Sequence, residues 1–190
     1  MLSSIHPLGE RTRNNSWAVT VGAFGIGSIA AGTVLGMLSA VIGVASGFSS
    51  TPAIVPVVIL GLSAGAEVLR VPIPTHKRQV NERWIGTFRG WVYGLGFGAQ
   101  LGAGLATYVV TWAVPALVAT MAWLGEIPLG AAIGATFGLG RTLPLLAAGW
   151  IDRPDRLSRF SSCAARVAHA AHTGAAIVLV VVAVGAGAQL

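Results

Sequence analysis

The sequence predicts an all-α fold: a polytopic integral membrane helix bundle of about five transmembrane helices, with the N-terminus cytoplasmic and the C-terminus outside. Of its 190 residues, 54% are hydrophobic and only 9% are charged, whereas a soluble domain carries about 25% charged residues. No charged residue occurs within 17–66, 90–125, 127–140 or 167–190. These gaps leave room for spans of about 20 apolar residues. The basic residues also fall in alternate loops, as expected when Lys and Arg stay on the cytoplasmic side.

The chain divides into a short tail and one membrane domain. Residues 1–16 are polar, carry Arg11 and Arg13, and are predicted to form a cytoplasmic N-terminal tail rather than a cleaved signal. Residues 17–190 are predicted to form a single transmembrane domain.

The first two helices are predicted at about 17–46 and 52–70. They share an apolar stretch too long for one crossing, and Ser, Thr and Pro residues at 49–52 mark a turn followed by a helix N-terminus. The polar loop 70–89 contains five basic residues, which place it in the cytoplasm.

The third helix is predicted at about 88–122, with Pro115 either kinking it or ending it. The fourth follows at about 128–150, after a connection without Lys or Arg that belongs outside. The last span is predicted at about 172–189, after a loop with four arginines. Five helices satisfy the charge of every loop.

Two stripes of glycine predict close helix packing. Glycines recur every four residues, which places them on one helix face where a neighbouring backbone can approach. The first stripe contains Gly90, Gly94, Gly98 and Gly102, and the second contains Gly130, Gly134 and Gly138.

A faint internal repeat has an offset of 74 residues. It aligns Gly22 with Gly96, Thr33 with Thr107, and Glu67 with Arg141. If it is real, the first and second helices match the third and fourth, and the two hairpins run in parallel orientation.

Arg141 is the most informative charge, because it lies about 13 Å from the cytoplasmic end of its helix at 1.5 Å per residue. An ionisable group at that depth normally has a partner. We expect Glu67 to be that partner, with Arg70 one turn further on. The three residues form either a gate or anion site, or a structural ion pair that joins two helices.

Other polar residues are candidates for a pathway or a metal site. Gln100, Thr107 and Thr111 share one helix face, where they either line a polar pathway or hydrogen-bond neighbouring helices together. His169 and His172 are spaced for one helix face and follow the single cysteine, Cys163. They lack a third and fourth ligand at suitable spacing, so no metal or other cofactor is predicted.

Residues 78–150 contain RQVNERW, RGWVYGLGFGAQLGAGLATYVVTWA and GAAIGATFGLGRTLPLL. This segment resembles the membrane region of the cytochrome c biogenesis and thiol-disulfide interchange superfamily, in particular its cysteine-poor bacterial members allied to methylamine-utilisation membrane proteins. The resemblance implies six or more helices and a cysteine pair that carries reducing equivalents. No cysteine lies in the corresponding helices here, so that chemistry does not carry over.

The sequence contains no catalytic constellation, and it predicts a bacterial inner-membrane protein that is not an enzyme. We expect a transporter-like unit or a membrane subunit of a larger transport or redox assembly. A purely structural subunit packing through its glycine stripes is the alternative, and a cysteine-less relative of a thiol electron conduit is the third. The expected partners are the lipid bilayer and other membrane subunits or further copies of the chain. The net charge of +6 is explained by cytoplasmic loops, so nucleic acid is not an expected partner.

Overall fold

The computed structural model describes residues 5–73, 83–104, 111–150, 173–181 and 184, and within these all regular structure is helical. The predicted all-α class is therefore confirmed. The helices are α1 (Pro7–Thr12), α2 (Trp17–Ala45), α3 (Ile54–Val68), α4 (Arg83–Thr87), α5 (Gly90–Gly102), α6 (Ala113–Leu124), α7 (Ile127–Ala147) and α8 (173–181), with short 3₁₀ turns at Phe48–Ser50 and Ala148–Trp150.

The longest helix, α2, is the element on which α5, α6 and α7 pack. The first glycine stripe, on α5, lies directly against it: Gly94 faces Thr20, Gly98 faces Phe24, and Gly102 faces Ser28. A Cβ atom at any of these glycines would lie within 3.0 Å of the carbonyl oxygen opposite, so only glycine permits this approach. Residue numbers rise together along both helices, and α5 therefore runs parallel to α2.

Each of these α2–α5 pairs is 74 positions apart in the chain, which is the offset of the predicted repeat. The parallel orientation expected for the first and third predicted helices is the one that the structure has.

The second glycine stripe, on α7, packs on α2 in the opposite direction. Gly130 faces Gly36 and Gly134 faces Gly32, again with backbone atoms in contact. At the next turn, the Ser28 hydroxyl donates a hydrogen bond of 2.8 Å to the carbonyl oxygen of Gly138. Both stripes are thus used within the chain, and together they join α2, α5 and α7 into one block.

The predicted third helix, 88–122, differs from the structure, which has two helices in its place. Helix α5 ends at Gly102, and Gly104 has a φ of +63°, in the left-handed region that favours glycine. The next helix, α6, begins at Ala113. Pro115 therefore neither kinks nor ends a helix: it lies in the first turn of α6, where its missing N–H removes no hydrogen bond.

Helices α5 and α6 follow the same path along α2. The break between α5 and α6, called the interruption below, lies beside the middle of α2. Gly102 is opposite Ser28, and a Cβ at Gly104 would contact side chains of Leu35 and Val114. Further along, α6 packs with Ala122 against the backbone at Gly43.

Helix α3 runs antiparallel to α6, and the two are joined at both ends through tryptophan. The indole N–H of Trp123 donates to the carbonyl oxygen of Thr51, before α3, at 3.2 Å. The indole N–H of Trp112 donates a hydrogen bond of 2.9 Å to the carbonyl oxygen of Val71, after α3. Between these points, Leu60 and Ala64 of α3 pack with Ala116 of α6 and Leu179 of α8.

In the N-terminal segment, which the sequence predicts to be a cytoplasmic tail, residues 5–16 pack onto the helices. Glu10, in α1, is fully buried, and its carboxylate accepts hydrogen bonds from the Tyr93 hydroxyl and from the Thr20 hydroxyl at 3.0 Å. Arg13 pairs with the same carboxylate at 3.1 Å. Ile5 is buried with core residues of α2, α5 and α7.

Replacing Tyr93 with Phe is expected to lower the free energy of unfolding by about 1.5–3 kcal/mol, because it removes a hydrogen bond to a buried charged group. Thermal and chemical unfolding of the purified protein, followed by circular dichroism, measures this. Thr136→Val is the matched control, since its hydroxyl bonds an exposed carbonyl within its own helix. Equal effects of the two substitutions would contradict the role given to Tyr93.

The exterior of the described helices is apolar. Helices α2 and α7 are long and apolar enough to cross a membrane, and only 33% and 28% of their most apolar windows are buried. Leu62 is 70% exposed and Leu69 is 77% exposed. Exposed apolar surface of this kind is unusual on a soluble monomer and supports a location in the membrane.

Candidate functional site

The candidate site is a buried carboxylate at the interruption between α5 and α6. Glu67 lies in the last turn of α3 and is 4% exposed. Its Oε2 accepts a hydrogen bond of 2.7 Å from the backbone N–H of Trp112 and one of 3.1 Å from the Thr111 hydroxyl. Glu67 therefore caps the first turn of α6 from a different helix.

The hydrogen bonds at the start of α6 stabilise the Glu67 carboxylate inside an apolar bundle. The first N–H groups of a helix have no partner within the helix and carry a partial positive charge. The carboxylate satisfies such donors at α6, while the donors offset part of the cost of burying the charge. The interruption of the helix is what exposes them to Glu67.

The depth of the site follows from its neighbours. Val114, in the first turn of α6, approaches Gly104 together with Leu35, near the middle of α2. Thr111 and Trp112 immediately precede α6. Glu67 thus lies at about the level of the middle of α2, the longest helix.

An open cavity of about 370 Å³ adjoins the carboxylate, between the end of α3 and α8. Glu67 and Arg70 line it on the α3 side, and mainly apolar residues of α8 line the other side: Thr173, Ala176, Ile177, Val180 and Val181. Arg70 has a φ of +51°, which is costly outside glycine, and marks the point where the chain turns away from α3.

The structure does not bring Glu67 and Arg141 together. Arg141 lies on α7, with its guanidinium carbon 4.8 Å from the centre of the Phe137 ring. This places the charge over an aromatic face one turn away on its own helix, an arrangement that stabilises a cation. The expected ion pair is replaced by two separate arrangements, because α3 packs on α6 while α7 packs on α2.

The structure describes only some of the other predicted site residues. Thr111 belongs to the site through its hydrogen bond to Glu67, and Gln100 is half-buried in α5. Thr107, Cys163, His169 and His172 lie outside the described residues, so the polar pathway and the metal candidates remain predictions. In the glycine stripes, Gly90 differs from the others because a Cβ there would meet side chains of Thr20 and Asn15 rather than backbone.

Sequence reasoning missed Trp112, whose backbone N–H and indole both take part in the site. A signal for it exists: Thr111 followed by a proline at position 115 is typical of a helix start.

The fold is that of an all-helical protein with two helices long and apolar enough to cross a membrane. The chain is similar to the methylamine utilization protein MauF of Paracoccus versutus, with 32% identity over 152 residues, covering 76% of this chain and 55% of the relative. The protein of the same name from Paracoccus denitrificans is 34% identical over 143 residues, covering 74% of this chain and 50% of the relative. The resemblance to methylamine-utilisation proteins is therefore confirmed, and the chain spans about half the length of these curated relatives. No protein-family model matches it, and no solved structure does.

Proposed function

We propose that this chain is a multi-pass bacterial inner-membrane protein that acts as a transporter-like unit, without catalytic chemistry of its own. The observation that carries the proposal is a helix interrupted beside the middle of α2, with Glu67 against the interruption. Interrupted membrane helices and ionisable residues at membrane depth are both typical of transport sites.

Five crossings account for the charge pattern of the chain. They are α2, α3 together with its flanking residues 51–53 and 69–73, the interrupted α5–α6, α7, and a last span that includes α8. Arginine-rich loops alternate with connections that lack Lys and Arg, which favours a cytoplasmic N-terminus and an outer C-terminus.

The packing favours a transporter-like unit with one moving part. Helices α5 and α7 each contact α2 through backbone atoms, and such dense packing resists sliding. Helix α6 has a backbone contact of this kind with α2 where Ala122 meets Gly43, and α3 and α6 are linked to each other by hydrogen bonds at their ends. We propose that this pair tilts against the block, with the contact of Ala122 and Gly43 as its pivot and Gly104 as its hinge.

Access of water to the interruption tests the proposal. In a Cys163→Ser background, Thr111→Cys is expected to react with a small, charged, membrane-impermeant thiol reagent in proteoliposomes. Ser28→Cys is the matched control, because Ser28 is fully buried at the contact of α2 and α7 and is expected to remain unreactive. If Thr111→Cys is as inert as Ser28→Cys from both sides of the membrane, the transporter-like function is wrong.

The name of the relatives suggests the process that this unit serves. Both are methylamine utilization proteins, and we propose a role in that process for this chain.

A membrane subunit of a larger assembly is the second candidate, and the outer face of α3 favours it. A Cβ at Gly61 or Gly65 would meet no atom of the described residues within 4 Å, and Leu62 between them is 70% exposed. A bulky Gly65→Leu substitution is expected to leave the fold intact but to abolish co-purification of a partner subunit in mild detergent. Unchanged co-purification would exclude this face as the contact.

A further inference from the structure

We propose that the end of the molecule where α1 meets the start of α5 binds the headgroups of anionic phospholipids. Arg11 of α1 and Arg89, just before α5, are both exposed there. The inference rests on the proposed multi-pass topology, which places this end at the cytoplasmic surface of the membrane. It assigns a specific lipid class to that surface.

Hydrogen bonds bring the two arginine-bearing segments together. The side-chain oxygen of Asn15 accepts a bond of 3.4 Å from the backbone N–H of Gly90, the first residue of α5. One turn later, Tyr93 donates to the carboxylate of Glu10. The segment that carries Arg11 is therefore fixed beside the segment that carries Arg89.

The packing also removes the negative charge of this end from the surface. Glu10 is the acidic residue of α1, and it is fully buried, with Tyr93, Thr20 and Arg13 around its carboxylate. What the described part of this end presents outward is therefore positive. Phosphate groups are bound well by guanidinium, which offers two parallel N–H donors.

Exposed aromatic rings flank the same positive charge. Phe88 is 47% exposed and Trp91 is 53% exposed, on either side of Arg89. Aromatic side chains favour the headgroup level of a bilayer, so they would hold the arginine at the depth of the lipid phosphates. At the opposite end of the molecule, just before α7, the exposed charged residue is Glu126.

The test measures lipids that remain bound to the full chain. The protein is extracted from bilayers of equal phosphatidylcholine and phosphatidylglycerol content, and bound lipid is counted by native mass spectrometry. We expect phosphatidylglycerol to be retained preferentially. Each of Arg11→Gln and Arg89→Gln should weaken that preference about fivefold, the effect of about 1 kcal/mol per basic residue at an anionic surface.

Two controls make the result specific. Arg11→Lys with Arg89→Lys keeps both charges and is expected to retain most of the preference, while Glu126→Gln alters charge at the other end and should have no effect. Equal retention of both lipids, or a preference unchanged in the double Gln variant, would overturn the proposal. Because the readout does not involve Thr111, it can fail while the accessibility result stands, and the reverse also holds.

Discussion

Replacing Gly138 with alanine is expected to destabilise the protein by about 3 kcal/mol or more, at the upper end of what overpacking costs. A Cβ at Gly138 would lie within 3.0 Å of three α2 backbone atoms, belonging to Ser28 and Ile29. Backbone atoms cannot rotate away as a side chain can, so α7 would have to move off α2 and lose the Ser28 hydrogen bond. Thermal unfolding in detergent, followed by circular dichroism, measures the loss.

The matched control lies two residues away on the same helix. Within the part of the chain that the structure describes, a Cβ at Gly140 would meet nothing within 4 Å, and alanine is about 1 kcal/mol better than glycine within a helix. Gly140→Ala is therefore expected to leave stability unchanged or to raise it. If both substitutions shift the unfolding temperature alike, backbone contact does not hold α7 to α2.

Replacing Glu67 with alanine is the second large effect that we expect, a loss of about 2–4 kcal/mol. It leaves the Trp112 N–H and the Thr111 hydroxyl without their acceptor, and each unsatisfied buried donor costs about 1–3 kcal/mol. Glu67→Gln keeps an acceptor oxygen and should cost about half as much. Unfolding measurements on both variants test the cap directly, and an equal loss in the two would contradict it.

The same variant distinguishes the structure from the ion pair that the sequence suggested. A pair predicts that adding Arg141→Ala to Glu67→Ala partly restores stability. In the structure the two side chains have different partners, so their effects should simply add. Restoration in the double variant would show that the two charges interact.

The sequence predicted those helices whose ends and packing faces are determined by residues close together in the chain. Charges and prolines mark the ends of helices, and the observed bounds of α2, α3 and α7 differ from the predicted ones by at most three residues. Glycine spacing identified the faces of α5 and α7 that approach a neighbour, because a row of missing side chains has few other uses in an apolar helix.

The interruption at Gly104 was not predicted, because a helix and a break look alike in a glycine-rich apolar stretch. Gly102 lies in the packed stripe while Gly104, two residues later, takes a left-handed conformation. The hydrogen-bond partners of Glu10 could not be predicted from the sequence for another reason. Its contact with Tyr93 joins residues 83 positions apart, and no local pattern marks such a pairing.

The alignment of the repeat favoured Glu67 as the partner of Arg141, a pairing that the structure does not have. Glu67 and Arg141 occupy matching positions in it, but equivalent residues of a duplicated unit need not lie near each other. Close contact between equivalents occurs where α2 meets α5, at pairs such as Phe24 and Gly98.

That parallel contact has a consequence for biosynthesis. The 74 positions between Phe24 and Gly98 require roughly 4–15 s of chain elongation at about 5–20 residues per second. In the proposed topology, α2 therefore enters the bilayer seconds before α5 and α7 are made, with its packing faces covered only by lipid. Ribosome-bound chains that end before α5 are expected to be more sensitive to membrane proteases than chains that extend past α7.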